Sequence, residues 1–190
     1  LALSRDLARF ERLGRILPPE DKDAALFPEP IGGRWACLHR PVRGPEYVRR
    51  DVWLSFSRDL RRWEGGRPLL AARRGCWWDA DKIGAGPPPL ATEAGWLVGY
   101  HGVKATVAGG IYRFGLALLD RRDPFRVLGR TSAWCLAPEA PYERVGDVPN
   151  VVFPCGWLVR EGVVHLYYGG ADTCVCLATA PLERLLAALR

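Results

Sequence analysis

Methionine is absent from this sequence of 190 residues, and lysine nearly so: Lys22, Lys82 and Lys104 are the only three. With leucine at position 1 and no methionine anywhere, the expectation is that the natural start lies elsewhere and the chain is a piece of a longer protein. No run of 18 or more apolar residues occurs, which excludes a membrane-spanning helix of ordinary length. The opening stretch LALSRDLARFERLG carries a charge every few residues and lacks the apolar core of a signal peptide, so a cytoplasmic protein is expected. The six cysteines form no CxxC pair and no metal-ligand spacing, so no metal is expected. Cys174 and Cys176 point to one face of a strand, too close along the backbone for a comfortable bridge, and free buried thiols are the expectation. A phosphate loop of the GxxxxGK[ST] type is missing as well. So is any basic run: the net charge is +6, yet the arginines sit among acids, as in SRDLRRWE and LLDRRDP. That pattern describes a solvated surface and argues against a nucleic-acid partner.

What is present is repetition. Ser4-Arg5-Asp6-Leu7-Ala8-Arg9-Phe10-Glu11 returns 53 residues later as Ser57-Arg58-Asp59-Leu60-Arg61-Arg62-Trp63-Glu64, and a looser echo starts at Leu118. Between the echoes recurs a short apolar strand introduced by glycine: GGRWACLHRP, AGWLVGYHGV and EGVVHLYYGGAD. Alternating Trp, Val, Tyr and Leu favours strands, and the Gly and Pro clusters supply turns. Only the tail from Pro181 to Leu189 reads as a helix, with proline in its first turn. Units of 50 to 60 residues carrying several short strands are the mark of propeller blades. The expected fold is all-β: residues 1–190 as roughly the last three blades of a propeller plus a short C-terminal helix. A complete β-sandwich is the alternative.

Aligning the glycine-introduced strands on Trp35 and Trp96 places His39-Arg40 on Tyr100-His101, with Tyr168-Gly169 and then Asp172 in the third unit. Equivalent strand ends surround a propeller's axis, so these polar groups are expected to converge. Arg40 sits in an otherwise apolar strand and needs either a carboxylate or an anion on its guanidinium fork. Lys82 leads Gly84 and Gly86, which permit close backbone approach, and Pro87-Pro88-Pro89 stiffen the exit. Taken singly each residue has a structural explanation. Together Arg40, Lys82 and His101 suit a compact anion, with Asp172 and nearby aromatics suited to a sugar.

The stretch KIGAGPPPLATEAGWLVGYHGV resembles glycoside hydrolase family 130, the β-mannoside phosphorylases. FPEPIGGRWACLHRP, VWLSFSRDLRRW, GLALLDRRDP, LAPEAPYERVGDVPNVVFPCGWLV and YYGGADTCVCLA extend the resemblance over essentially the whole chain. It implies a five-bladed propeller with about two blades outside this chain, and a reversible, inverting phosphorolysis that yields α-mannose 1-phosphate. By resemblance Arg40, Lys82 and His101 hold the phosphate, and their charge screens its approach to the sugar. Asp172 binds mannosyl hydroxyls, with Tyr100 and His39 as neighbours. Inorganic phosphate is the co-substrate, no cofactor is expected, and relatives that assemble make a homo-oligomer one expectation.

One departure stands out. The family's proton donor is an aspartate in a Glu-Asp-Pro-Arg motif, which these residues lack; Asp123-Pro124 belongs to a different landmark. No catalytic residue is therefore expected within this chain, and the chain alone should be nearly inert. A β-mannoside hydrolase of the same fold and an inactive sugar-binding remnant are the competing readings.

Overall fold

The structure, a computed structural model, describes residues 1–42 and 50–189. A two-stranded ribbon, β1 (Ala2–Leu3) with β2 (Glu11–Arg12), precedes three antiparallel sheets. The first sheet runs in chain order: β3 (Asp21–Leu26), β4 (Trp35–Pro41), β5 (Val52–Ser57) and β6 (Trp63–Leu70). In the second, β7 (Lys82–Ala85) and β8 (Leu90–Thr92) both pair with β9 (Gly95–Thr106), followed by β10 (Gly109–Leu119) and β11 (Val127–Arg130). A one-turn helix, α1 (Pro141–Arg144), leads into the third sheet of β12 (Val152–Arg160), β13 (Val163–Gly170) and β14 (Cys174–Pro181). The terminal helix α2 (Leu182–Ala187) is shorter than the tail's pattern predicts. The all-β expectation holds, with three sheets in series rather than the two of a sandwich.

Burial explains why the strands read as they do. Residues Gly95–Val103 of β9 are buried without alternation, because this sheet is covered on both faces. Trp96, Val98 and Tyr100 share one apolar cluster with Leu38, Leu54 and Ile83, while Leu97, Phe114 and Leu116 join Leu166 and the leucines of α2 in another. Trp96 meets Phe27 edge to face at 5.1 Å, a pairing that contributes about 1 kcal/mol beyond area burial. At the other extreme β14 alternates strictly between half-buried and exposed residues, as an edge strand with one open face does.

The repeated octapeptide is a repeated turn. Ser4 Oγ accepts from Leu7 N, and Asp6 Oδ1 accepts from Ala8 N and Arg9 N. Asp59 Oδ1 likewise accepts from Arg61 N and Arg62 N, and Asp120 Oδ1 from Arg122 N and Asp123 N. Leu7 and Leu60 occupy the same left-handed position, at φ 59° and 62°. Aspartate side chains that satisfy the amides two and three residues on make such turns self-sufficient.

Candidate functional site

The three glycine-introduced segments become β4, β9 and β13, in each case the second strand of its sheet. Arg40 pairs in register with Lys22 across β3–β4, and His101 with Gly84 across β7–β9. Between Lys22 and Ala25 the β3 register slips, and in that bulge Asp23 takes a left-handed φ of 55°. The bulge re-aims the Asp23 carboxylate: its Oδ2 accepts from Arg40 Nε at 2.6 Å and lies 3.7 Å from His101 Nε2. A Cβ on Gly84 would stand 2.1 Å from Asp23 Oδ2 and 2.4 Å from the His101 ring, so only glycine lets these groups meet. This is the physical use of the first glycine in KIGAG.

Arg40 and Asp23 are both largely buried, and an ion pair at that depth needs its close geometry to offset lost hydration. His101 is 1% exposed, and its Nδ1 has no hydrogen-bond partner among the described residues. Burial is the main reason its imidazole is brought down to about 4; Asp23 opposes this, and Arg40 and Lys82 reinforce it. His101 is thus neutral here, where the sequence suggested a cation. Lys82, half-buried, donates to Tyr112 Oη and lies 4.7 Å from that ring's centroid. Tyr112 in turn stacks against His101 at 6.0 Å, and Phe153 closes on the imidazole at 4.7 Å. Lys82 and Tyr112 line a cleft of about 360 Å³ together with Arg50, Asp81, Val148 and Pro149.

The other sequence candidates go elsewhere. Tyr100 is fully buried and bonded to Asp79 and Arg130 on the opposite face of β9 from His101. His39, beside Arg40 on β4, sits between Asp21 and Ser55 at 2.8 Å each and faces a different cleft, with Trp53 and Trp63. Asp172 is exposed in the β13–β14 turn at φ 53°; its neighbour Ala171 accepts from Val148 N, which places that turn beside the Lys82 cleft. Cys37 is buried as expected, whereas Cys76, Cys135 and Cys155 are exposed because they lie on connections or an open strand face. No group of three or more His, Cys, Asp or Glu among the described residues could hold a metal ion.

Asp23, the centre of the cluster, is the residue sequence reasoning missed. A bulge is not marked by periodicity, and the only signal was a carboxylate one residue after Lys22 in a segment otherwise ready to be a strand.

Comparison with known proteins identifies the family in which these three sheets and their donor cluster occur. The chain belongs to glycoside hydrolase family 130, whose model, described as beta-1,4-mannooligosaccharide phosphorylase, matches residues 2–190. It is 42% identical over 183 residues to the 1,2-β-oligomannan phosphorylase of Thermoanaerobacter sp., covering 96% of this chain and 58% of that protein. To the β-1,4-mannooligosaccharide phosphorylase of Ruminococcus albus it is 37% identical, over 96% of this chain and 55% of the relative. The solved β-1,2-mannobiose phosphorylase of Listeria innocua, in complex with β-1,2-mannobiose, superposes with a TM-score of 0.92 at 39% identity, over 99% of this chain and 52% of that one. The chain therefore spans a little over half the length of these relatives.

Proposed function

We propose that this chain is the phosphate-holding part of a β-mannoside phosphorylase, and that its three sheets are consecutive blades of a five-bladed propeller. One observation carries the reading: equivalent strands of two sheets bring Arg40 and His101 to the same carboxylate, Asp23. Asp23 fixes the Nε edge of the Arg40 guanidinium and so presets the direction of the fork. His101 offers an unpartnered ring nitrogen, and Lys82 adds an ammonium with two donors beyond the one given to Tyr112 Oη. Inorganic phosphate is the anion that suits this set, and no cofactor is required.

In the proposed reaction a phosphate oxygen attacks the mannosyl anomeric carbon from the side opposite the leaving sugar. A C–O bond to phosphate forms as the glycosidic C–O bond breaks, giving α-mannose 1-phosphate with inversion. The leaving oxygen takes a proton from an acid that this chain lacks, which fits the missing Glu-Asp-Pro-Arg motif. Asp172, exposed beside the Lys82 cleft, is proposed to accept from mannosyl hydroxyls. A hydrolase of the same fold, with water as nucleophile, has no use for Arg40, Lys82 and His101 in concert.

Titration of inorganic phosphate into this chain at neutral pH, followed by ³¹P NMR, tests the site. Saturable binding is expected, weakened about tenfold or more in Arg40→Lys, which keeps the charge and loses the fork. Equal binding by both proteins overturns the assignment of Arg40. In the protein that contains this chain, mannose 1-phosphate should appear from β-mannosides only when phosphate is supplied. Equal turnover without phosphate moves the reading to a hydrolase, and none under either condition to a sugar-binding remnant.

A further inference from the structure

We infer that the cleft between Trp77 and Trp134 is an accessory carbohydrate site, which takes a β-mannooligosaccharide chain outside the Arg40 cluster. The inference rests on the mannoside reading above for its choice of sugar, and on its own geometry for the site. Trp77 is 43% exposed and Trp134 46%, unusual for the bulkiest apolar side chain. They stand on two separate connections: the one that leads directly into Lys82, and the one between β11 and α1. Together with Trp78, Lys104, Arg113 and Ser132 they line a cleft of about 490 Å³, within the size of small-ligand sites.

The cleft is built rather than incidental. Trp78 Nε1 donates to Ser132 O at 3.0 Å, and Arg73 reaches Thr131 O at 3.3 Å, so the two connections are tied together. Trp78 packs over Gly102 and Gly115, where any Cβ would stand 2.5 Å from its ring. Behind each exposed indole lies a guanidinium: Arg113 is 4.5 Å from the Trp134 centroid and Arg73 is 4.0 Å from that of Trp77. Such stacking fixes the rings and leaves their remaining surface to a ligand. Arg113 Nε is buried without a hydrogen-bond partner among the described residues, a donor awaiting an acceptor.

Flat indoles backed by donors suit sugar rings, which pair an apolar C–H face with hydroxyl edges. They suit single-stranded nucleic acid less well. Stacking platforms for bases come with cations that track the phosphates; here Arg73 is bonded to Asp79 and Lys104 to Gly75 O, which leaves Arg113 alone with an unpaired donor, too little to follow a phosphate chain. The location also fits. Tyr112, which meets Lys82, and Arg113, which meets Trp134, are successive residues of β10 and so face opposite sides of one hairpin. The β9–β10 hairpin, with its tip at Val107, therefore separates the Lys82 cleft from the tryptophans and keeps the two sites distinct.

The test titrates this chain with β-1,2- and β-1,4-mannotetraose under tryptophan fluorescence, alongside Trp134→Ala and Trp134→Phe, with folding checked by circular dichroism. At least one tetraose should bind, about tenfold or more weakly to Trp134→Ala, while Trp134→Phe recovers part of the loss and phosphate affinity stays unchanged. Undiminished binding by Trp134→Ala, the absence of tetraose binding, or displacement by an oligothymidine at lower concentration each overturns the inference. Loss of phosphate binding with tetraose binding intact would instead sink the phosphorylase reading and leave the cleft standing.

Discussion

Two buried polar networks lie back to back on β9, one built on Tyr100 and the other on His101. In the first, Asp79 is fully buried and accepts from Arg73 Nε at 2.7 Å, Arg130 Nη2 at 2.7 Å and the Tyr100 hydroxyl at 3.0 Å. Arg130 also bonds Tyr100 Oη and Ala71 O, so donors and acceptors close on one another. Burial holds the Tyr100 phenol protonated, well above its usual range. The second network is open. Its histidine has an unused nitrogen and is kept neutral, and its carboxylate serves one arginine edge closely and the imidazole only at 3.7 Å. A closed network stabilises; an open one of the same depth costs stability unless something else completes it. The contrast separates scaffold from site on a single strand.

That contrast can be broken in three ways. Asp79→Ala leaves two guanidinium groups without their shared carboxylate, and about 3–5 kcal/mol of stability should be lost in urea titrations; a loss under 1 kcal/mol would deny the network its structural role. His101 gives a pH signature. Its folded value of about 4 lies below its ordinary 6.5, so the unfolded chain binds the proton first as pH falls. The stability present above pH 6.5 should therefore drain away toward pH 4, by up to about 3 kcal/mol. His101→Gln should flatten that part of the stability–pH curve, and superposable curves would refute a buried neutral imidazole. Gly84→Ala drives a methyl group between Asp23 and His101 and should cost about 1–3 kcal/mol. It should also weaken phosphate binding about tenfold or more, an effect Asp79→Asn should not share at temperatures where that variant is folded.

The sheets were readable from the chain because turn chemistry and hydrophobic repeats are local. Aligning Trp35 with Trp96 was enough to put Arg40 and His101 on equivalent strands. The same alignment misled for Tyr100 and His39. Adjacent residues of a strand face opposite ways, so Tyr100 and His101 cannot serve one pocket, nor His39 and Arg40. Strand alternation would have caught both. Asp23 was beyond the reach of such patterns, because its aim depends on a register slip against β4 and on empty space at Gly84. The neutral state of His101 was equally hidden: it follows from burial between sheets, which no single stretch of sequence records.

The aspartate turns at Asp6, Asp59 and Asp120 carry one last implication. Each closes its own amides and asks nothing of its surroundings, so one rim of the molecule keeps the strands in step unaided. The opposite strand ends, at Arg40 of β4 and Lys82 of β7, hold the polar cluster instead. Register is thus maintained at one end of the sheets and the unsatisfied donors are held at the other.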